Sequence, residues 1–215
     1  MKNNIEKIIY GIKINYHASI KIEKDNKIIY FDPFKIEENI IDADYIFITH
    51  SHYDHYSEED IKKVMKKDTV FVITSDLESK IKKLGIDKEK IIVVIPDRKY
   101  SICDIEFSTV KSYNINKEYH KKEYNWVGYI LNIKGIYYYI VGDSDVIDEL
   151  KNIKCDCVFV PVGGTYTMDY KEAQEFVNKI KPLVAIPIHY GEVGSLIDAK
   201  KFIESLDENI HGVIL

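Results

Sequence analysis

The chain has 215 residues, 46% of them hydrophobic and 30% charged, with a formal net charge of −5. That length buries a substantial core, one domain over residues 1–215 is the expectation, and the composition excludes a disordered or fibrous chain. Acidic and basic residues are interleaved, which excludes the basic footprint of a nucleic-acid binder, and no apolar run approaches membrane-spanning length.

The segment Met1–Lys7 carries charges where a secretory leader needs a continuous apolar stretch, so a soluble cytoplasmic protein is expected. Strands follow over Ile8–Tyr16, Ala18–Glu23 and Lys27–Phe31, with Asp25-Asn26 as a hairpin turn and Asp32-Pro33 as a stop. Tyr45–Ile48 is an apolar run too continuous for a surface strand and is read as buried on both faces. Ser57, with Asp60 three residues on, predicts a helix N-terminus, and Ile61, Val64 and Met65 fall on one face of it.

The alternation continues with a strand over Val70–Thr74, a helix over Asp76–Leu84 closed by Gly85, and a strand over Ile91–Ile95. Further strands are Ile105–Val110, Trp126–Ile133 and Ile136–Val141, the last two joined at Lys134-Gly135. Val158–Val162 is a strand, Lys171–Ile180 a helix preceded by Asp169, Leu183–Ile188 a strand, Ser195–Leu206 a helix, and Val213–Leu215 a closing strand. Cys103, Cys155 and Cys157 make no disulfide framework, Cys155 and Cys157 read as small strand residues, and the odd number suits a reducing compartment. Antiparallel strands followed by strand-helix alternation predict an α/β or α+β sandwich, with helices covering packed sheets.

The chemistry concentrates in Thr49-His50-Ser51-His52-Tyr53-Asp54-His55, where three of the chain's seven histidines follow a buried strand. In extended backbone His50 and His52 point the same way, so two nitrogens can meet one cation. Asp54 and His55, at the turn into the helix, can face a second cation. His17 is read either as a buried structural residue or as a neighbour of the metals. Asp32, by default a turn residue, could orient a ligand histidine.

This H-x-H-x-D-H spacing resembles the metallo-β-lactamase superfamily, which implies a four-layer αββα sandwich, a metal-dependent hydrolase and a site for two divalent ions. Asp143 in Gly142-Asp143-Ser144 resembles the family's bridging carboxylate, and His189 in His189-Tyr190-Gly191 its last histidine ligand. The remaining histidine departs from the pattern, because its usual place holds Ser112-Tyr113-Asn114. We take His120, reaching back from a mobile loop, as that ligand, with Asn114 or water as the alternative.

Tyr16–Ser19, Phe31–Phe34, Tyr124–Tyr129 and Pro161–Asp169 occur in an order similar to a subgroup resembling the L-ascorbate-6-phosphate lactonases. Within the last of these, Gly163-Gly164 permits close backbone approach at the head of the next helix, as a substrate contact or as a plain loop and cap.

The implied metal set is His50, His52, Asp54, His55, His120, Asp143 and His189, with zinc expected and manganese, nickel or iron possible for the same donors. A cation pair lowers the pKa of a shared water from roughly 15.7 toward about 7, and the resulting hydroxide is the expected nucleophile. Asp54, His17 and His120 are the candidate catalytic side chains, the two histidines as donors of a proton to the displaced group. The expected partner is a small ester, lactone or phosphodiester. Nuclease activity and a metal-binding module without catalysis are the rival readings. The iron-redox branch of the superfamily carries glutamate where His52 stands, which favours hydrolysis.

Overall fold

The computed structural model describes residues 2–103 and 105–215, with Met1 of the leader reading outside it. It forms two compact units, Gly11–Ile95, and Met1–Tyr10 together with Pro96–Leu215. Among the described residues no helix is long and apolar enough to cross a membrane.

The chain opens with helix α1 (Lys2–Ile9), so Ile8 and Ile9 are helical where the apolar run predicted a strand. Gly11 ends it, with φ +73°, and lies so close to the next hairpin that a Cβ would come within 2.1 Å of the Glu23 carbonyl oxygen. The first unit then runs β1 (Ile12–Tyr16), β2 (Ser19–Lys24), β3 (Lys27–Phe31), β4 (Ala43–Phe47), α2 (Glu58–Val64), β5 (Met65–Thr74), α3 (Glu78–Lys83) and β6 (Ile91–Val94). Asp25 and Asn26 both have positive φ, as a two-residue hairpin turn requires. Met65, expected on the helix face, is the first residue of β5, which starts directly where α2 ends.

The six strands lie in sequence order; β1 to β3 pair antiparallel, and β3 to β6 pair parallel. Ile46, Ile48, Phe71 and Ile73 of the sheet region pack with Ile61 and Val64 of α2 and Ile81 of α3, which is why the two helices carry apolar stripes.

The second unit runs β7 (Lys99–Ile102), β8 (Ile105–Lys111), β9 (Val127–Ile133), β10 (Ile136–Ile140), β11 (Cys157–Pro161), α4 (Tyr170–Ile180), β12 (Val184–Ile188), α5 (Leu196–Glu204) and β13 (His211–Gly212). Its sheet has the order β13-β12-β11-β10-β9-β8-β7, antiparallel from β7 to β10 and parallel from β10 to β13. The closing strand is therefore His211–Gly212, paired with Val184 and Ala185, and not Val213–Leu215. The fold is mixed α/β with two sheets, the class that the strand-helix alternation predicts. α4 is capped reciprocally by Asp169 and Glu172, and it buries Ala173, Phe176, Val177 and Ile180 with Val158, Val160 and Ala185.

In both sheets, strand direction collects several carboxyl ends on one edge. β1, β3 and β4 run the same way, as do β8, β10, β11 and β12. Residues just after those strands share that edge, where parallel sheets place ligands.

Asp60, near the start of α2, ties this arrangement down. Its carboxylate accepts the backbone N–H groups of Lys35 and Ile36, at 2.9 Å each, and the Ser57 hydroxyl at 2.6 Å. Burial alone would raise its pKa, but the Ser57 hydroxyl, Lys63 and the two N–H groups outweigh that and hold it below the ordinary carboxylate value. A depressed folded pKa stabilises fully above the unfolded value, about 3.9, and that stability is lost as pH falls through the folded value. Asp60→Asn should therefore lower unfolding stability at pH 7 by about 1–3 kcal/mol. In denaturant titrations the gap to wild type should close as pH falls below about 4; an unchanged gap would reject this role for Asp60.

Candidate metal centre

In the unit Gly11–Ile95, Thr49–His55 leave the end of β4 as a loop, closed by a turn in which Tyr56 N–H donates to the His52 carbonyl at 2.8 Å. His50 and His52 converge even without regular strand geometry, with His50 Nε2 3.2 Å from His52 Nδ1. Two nitrogens on one tetrahedral zinc, each at ~2.0–2.1 Å from the ion, stand at roughly that spacing. His55 Nε2 lies 3.4 Å from Asp54 Oδ2, and His17 Nε2 lies 3.5 Å from the same oxygen. The hairpin turn between β1 and β2 thus sets His17 beside the motif.

Asp32 lies under this loop, 1% exposed. It accepts the Thr49 N–H at 2.8 Å, the Thr49 hydroxyl at 2.7 Å, and a bond from His55 Nδ1 at 2.7 Å. Because Thr49 Oγ1 gives its hydrogen to Asp32, its contact with His50 Nδ1 at 2.9 Å requires the ring nitrogen to donate. Nδ1–H tautomers follow for both His50 and His55, which present the Nε2 lone pair as a metal requires. Burial pushes the Asp32 carboxyl above its ordinary pKa, while the His55 and Thr49 contacts pull it down. Thr49 is a participant that sequence reasoning missed, since a hydroxyl one residue before a histidine motif carries no spacing signal of its own.

In the other unit, Asp143 follows β10 and His189 follows β12. Asp143 Oδ2 lies 3.2 Å from His120 Nε2 and 3.0 Å from His189 Nε2. Two imidazoles from separate loops therefore meet one carboxylate oxygen, and all three residues are nearly fully buried. The loop carrying His120 is fastened down. Asn114 N–H donates to the His120 carbonyl at 2.7 Å, Ile115 N–H to Asp145 Oδ2 at 2.9 Å, and Lys117 bonds both Asp145 and the Thr167 carbonyl. The Asn114 amide donates to the carbonyls of Tyr119 and Tyr166 and stands 3.2 Å from His120 Nδ1, the ring nitrogen away from Asp143. Asn114 thus buttresses the imidazole from behind.

Buried imidazole and carboxylate donors of this kind fit a divalent transition metal, and these side chains belong to groups that could hold one. The family model described as the beta-lactamase superfamily domain matches residues 12–189. The chain belongs to that family. It is a metal-dependent hydrolase of the metallo-β-lactamase superfamily. A UPF0173 metal-dependent hydrolase of Staphylococcus haemolyticus is 25% identical over 200 residues, covering 83% of this chain and 86% of the relative. A UPF0173 protein of Pyrococcus furiosus is 27% identical over 208 residues, covering 89% and 88%. Among solved structures, a protein named as a metal-dependent hydrolase from Parabacteroides distasonis is 30% identical. It superposes with a TM-score of 0.79 over 94% of this chain and 91% of its own.

In this member of the superfamily the glycine pair lies against the head of α4, where Gly163 bridges to the cap residue Asp169 and Gly164 packs on its side chain, and Gly163 also abuts His189. A Cβ at Gly163 would come within 2.5 Å of the His189 carbonyl oxygen and 3.1 Å of its Nδ1. Unusual backbone recurs in each unit: His17 and Asp32 in one, and His120 and His189 in the other, all have positive φ, between 46° and 58°. Non-glycine residues adopt that region rarely, and such residues cluster where function over-determines the geometry.

Thr49→Val keeps the side chain's shape and removes the hydroxyl that fixes the His50 tautomer. Metal affinity, measured by competition with a chromogenic chelator, should fall about 10- to 100-fold while the protein stays folded. Gly163→Ala should also lower affinity, because His189 must shift; unaltered affinity in either variant would remove that residue from the site's support.

Proposed function

We propose that residues 1–215 form one catalytic domain that holds two divalent metal ions, zinc in the first instance, and hydrolyses a small ester, lactone or phosphodiester. The one-domain reading is supported by a family match, 12–189, that runs through the boundary between the units. In this reading His50, His52, Asp54 and His55 of one unit and His120, Asp143 and His189 of the other would be the residues that hold the ions.

The carrying observation is the Asp143 carboxylate oxygen, 3.2 Å from His120 Nε2 and 3.0 Å from His189 Nε2, three buried donor atoms brought together. His52, an imidazole where the iron-redox branch has glutamate, supports hydrolysis. A metal pair at these ligands supplies an acidified water and polarises the oxygen of the bond under attack.

The chain's own residues do the rest. Asp32 and Thr49 keep His55 and His50 in the Nδ1–H form, which leaves Nε2 of each ring as the donor atom. Asp54 Oδ2, 3.5 Å from His17 Nε2, takes the proton that the attacking water loses, and His17 carries a proton to the departing oxygen. Water's hydroxyl ends on the carbonyl carbon or phosphorus, and its proton on the leaving group. Zinc suits these donors, and manganese, nickel or iron would also be accepted. The segments similar to the L-ascorbate-6-phosphate lactonases put lactones among the substrates to test. A cytoplasmic site of action is supported by the cysteine content, an odd number that makes no disulfide framework.

The test is metal content by plasma mass spectrometry for wild type, His120→Ala and Asp143→Ala, alongside turnover of 4-nitrophenyl acetate and bis(4-nitrophenyl) phosphate. The expected result is close to two metals per chain, falling in both variants together with turnover. One metal or none in wild type, or variants that keep full content, would reject the two-metal assignment.

A further inference from the structure

Metal chemistry makes no use of one residue in the H-x-H-x-D-H loop. Tyr53, between His52 and Asp54, is 70% exposed. Its ring meets Phe34 edge-on at 6.0 Å between centroids, and Phe34 lies 6.1 Å from the ring of Tyr16. The Lys35 ammonium stands 4.2 Å from the Tyr16 centroid and 5.4 Å from that of Phe34. All four residues belong to the unit Gly11–Ile95. Tyr16 and Tyr53 are chain neighbours of His17 and Asp54, the pair whose side chains meet at 3.5 Å.

This cluster is held in place by the fold. Lys35 is kept in the left-handed region, φ +49°, where its N–H donates to the buried Asp60. Phe34 N–H donates to Ser19 Oγ at 3.1 Å. A rigid aromatic corner that ends in an exposed tyrosine beside reacting groups offers ring faces and edges to a flat partner. A lysine held over two rings keeps its charge at the same place.

We propose that Tyr53, Phe34, Tyr16 and Lys35 form a substrate-selecting rim for an aryl group that carries a negative charge. The ring packs on Tyr53, which the buried Phe34 supports edge-on, and the anionic substituent faces Lys35. This rests on the hydrolase reading only in taking His17 and Asp54 as neighbours of the reacting bond. It makes Tyr53 and Lys35 specificity determinants, acting on which substrate is held and not on the metals.

The test is an NMR titration of the metal-loaded chain with phenylacetate, acetate and benzyl alcohol. Wild type should bind phenylacetate about tenfold more tightly than either control, the order expected when one aromatic contact and one charge contact each add favourably. Tyr53→Ala should reduce phenylacetate to the level of acetate. Lys35→Gln should reduce it to the level of benzyl alcohol and leave benzyl alcohol unchanged. Both positions are exposed, and unchanged melting curves would verify that the variants fold. Equal binding of phenylacetate and acetate by wild type, or ratios that neither substitution moves, would overturn the proposal. Binding is read without turnover, so a preserved phenylacetate preference in a chain that turns over neither 4-nitrophenyl acetate nor bis(4-nitrophenyl) phosphate would reject the proposed ester and phosphodiester reading alone.

Discussion

The carboxylate of Asp32 is the interaction on which the histidine loop of the unit Gly11–Ile95 depends. A buried charge is expensive unless every lone pair is answered, and Asp32 is answered by a backbone N–H, a hydroxyl and an imidazole. Those partners come from the loop after β4, while Asp32 itself follows β3, and its own N–H donates to the Phe47 carbonyl at the end of β4. Parallel pairing of β3 with β4 therefore sets the distance across which the carboxylate works. A slip in that register would leave a buried charge, a buried hydroxyl and two imidazoles unsatisfied together. Sheet registry and ligand tautomers are in this sense one constraint.

The other unit holds its histidines by a different route. They come from loops far apart in sequence, with the Asn114 amide behind the His120 ring and close backbone approach seating His189. Gly163 leaves room for the His189 backbone, and Gly128 lets β9 lie against the carbonyls of Ile140 and Val141 just before Asp143, where a Cβ would come within 2.6 Å of Val141 O. The two sheets nonetheless share one plan, an antiparallel section followed by a parallel one, with polar residues placed after strands that run the same way.

Much of this is legible in the sequence where local physics is strong. The hairpin at Asp25-Asn26, the Ser57 and Asp169 caps and the buried Tyr45–Ile48 run are set by turn chemistry, capping and continuous hydrophobicity, which act over a few residues. His50, His52, Asp54 and His55 stand together because one loop carries them. Long-range effects hid the rest. α1 reads as the start of a strand because Ile8 and Ile9 are apolar and β-branched, yet Tyr138 O–H donates to the Ile8 carbonyl from the far sheet strand β10. β7 is short and polar, as edge strands are, and gives no apolar run to detect. The anchoring of His120 depends on Asp145 and Thr167, about which the spacing around His120 says nothing.

Four side chains of the site sit on left-handed backbone, each disfavoured by about 1–2 kcal/mol relative to ordinary geometry. That is a reservoir of instability placed at His17, Asp32, His120 and His189, and it has an evolutionary side. Glycine or asparagine at His17, His120 or His189 would relax the chain locally and toughen the protein, at the expense of the group that the strained backbone aims. Variants selected for heat resistance alone should drift toward such replacements and lose activity as they gain stability, whereas selection for turnover should hold the strain in place.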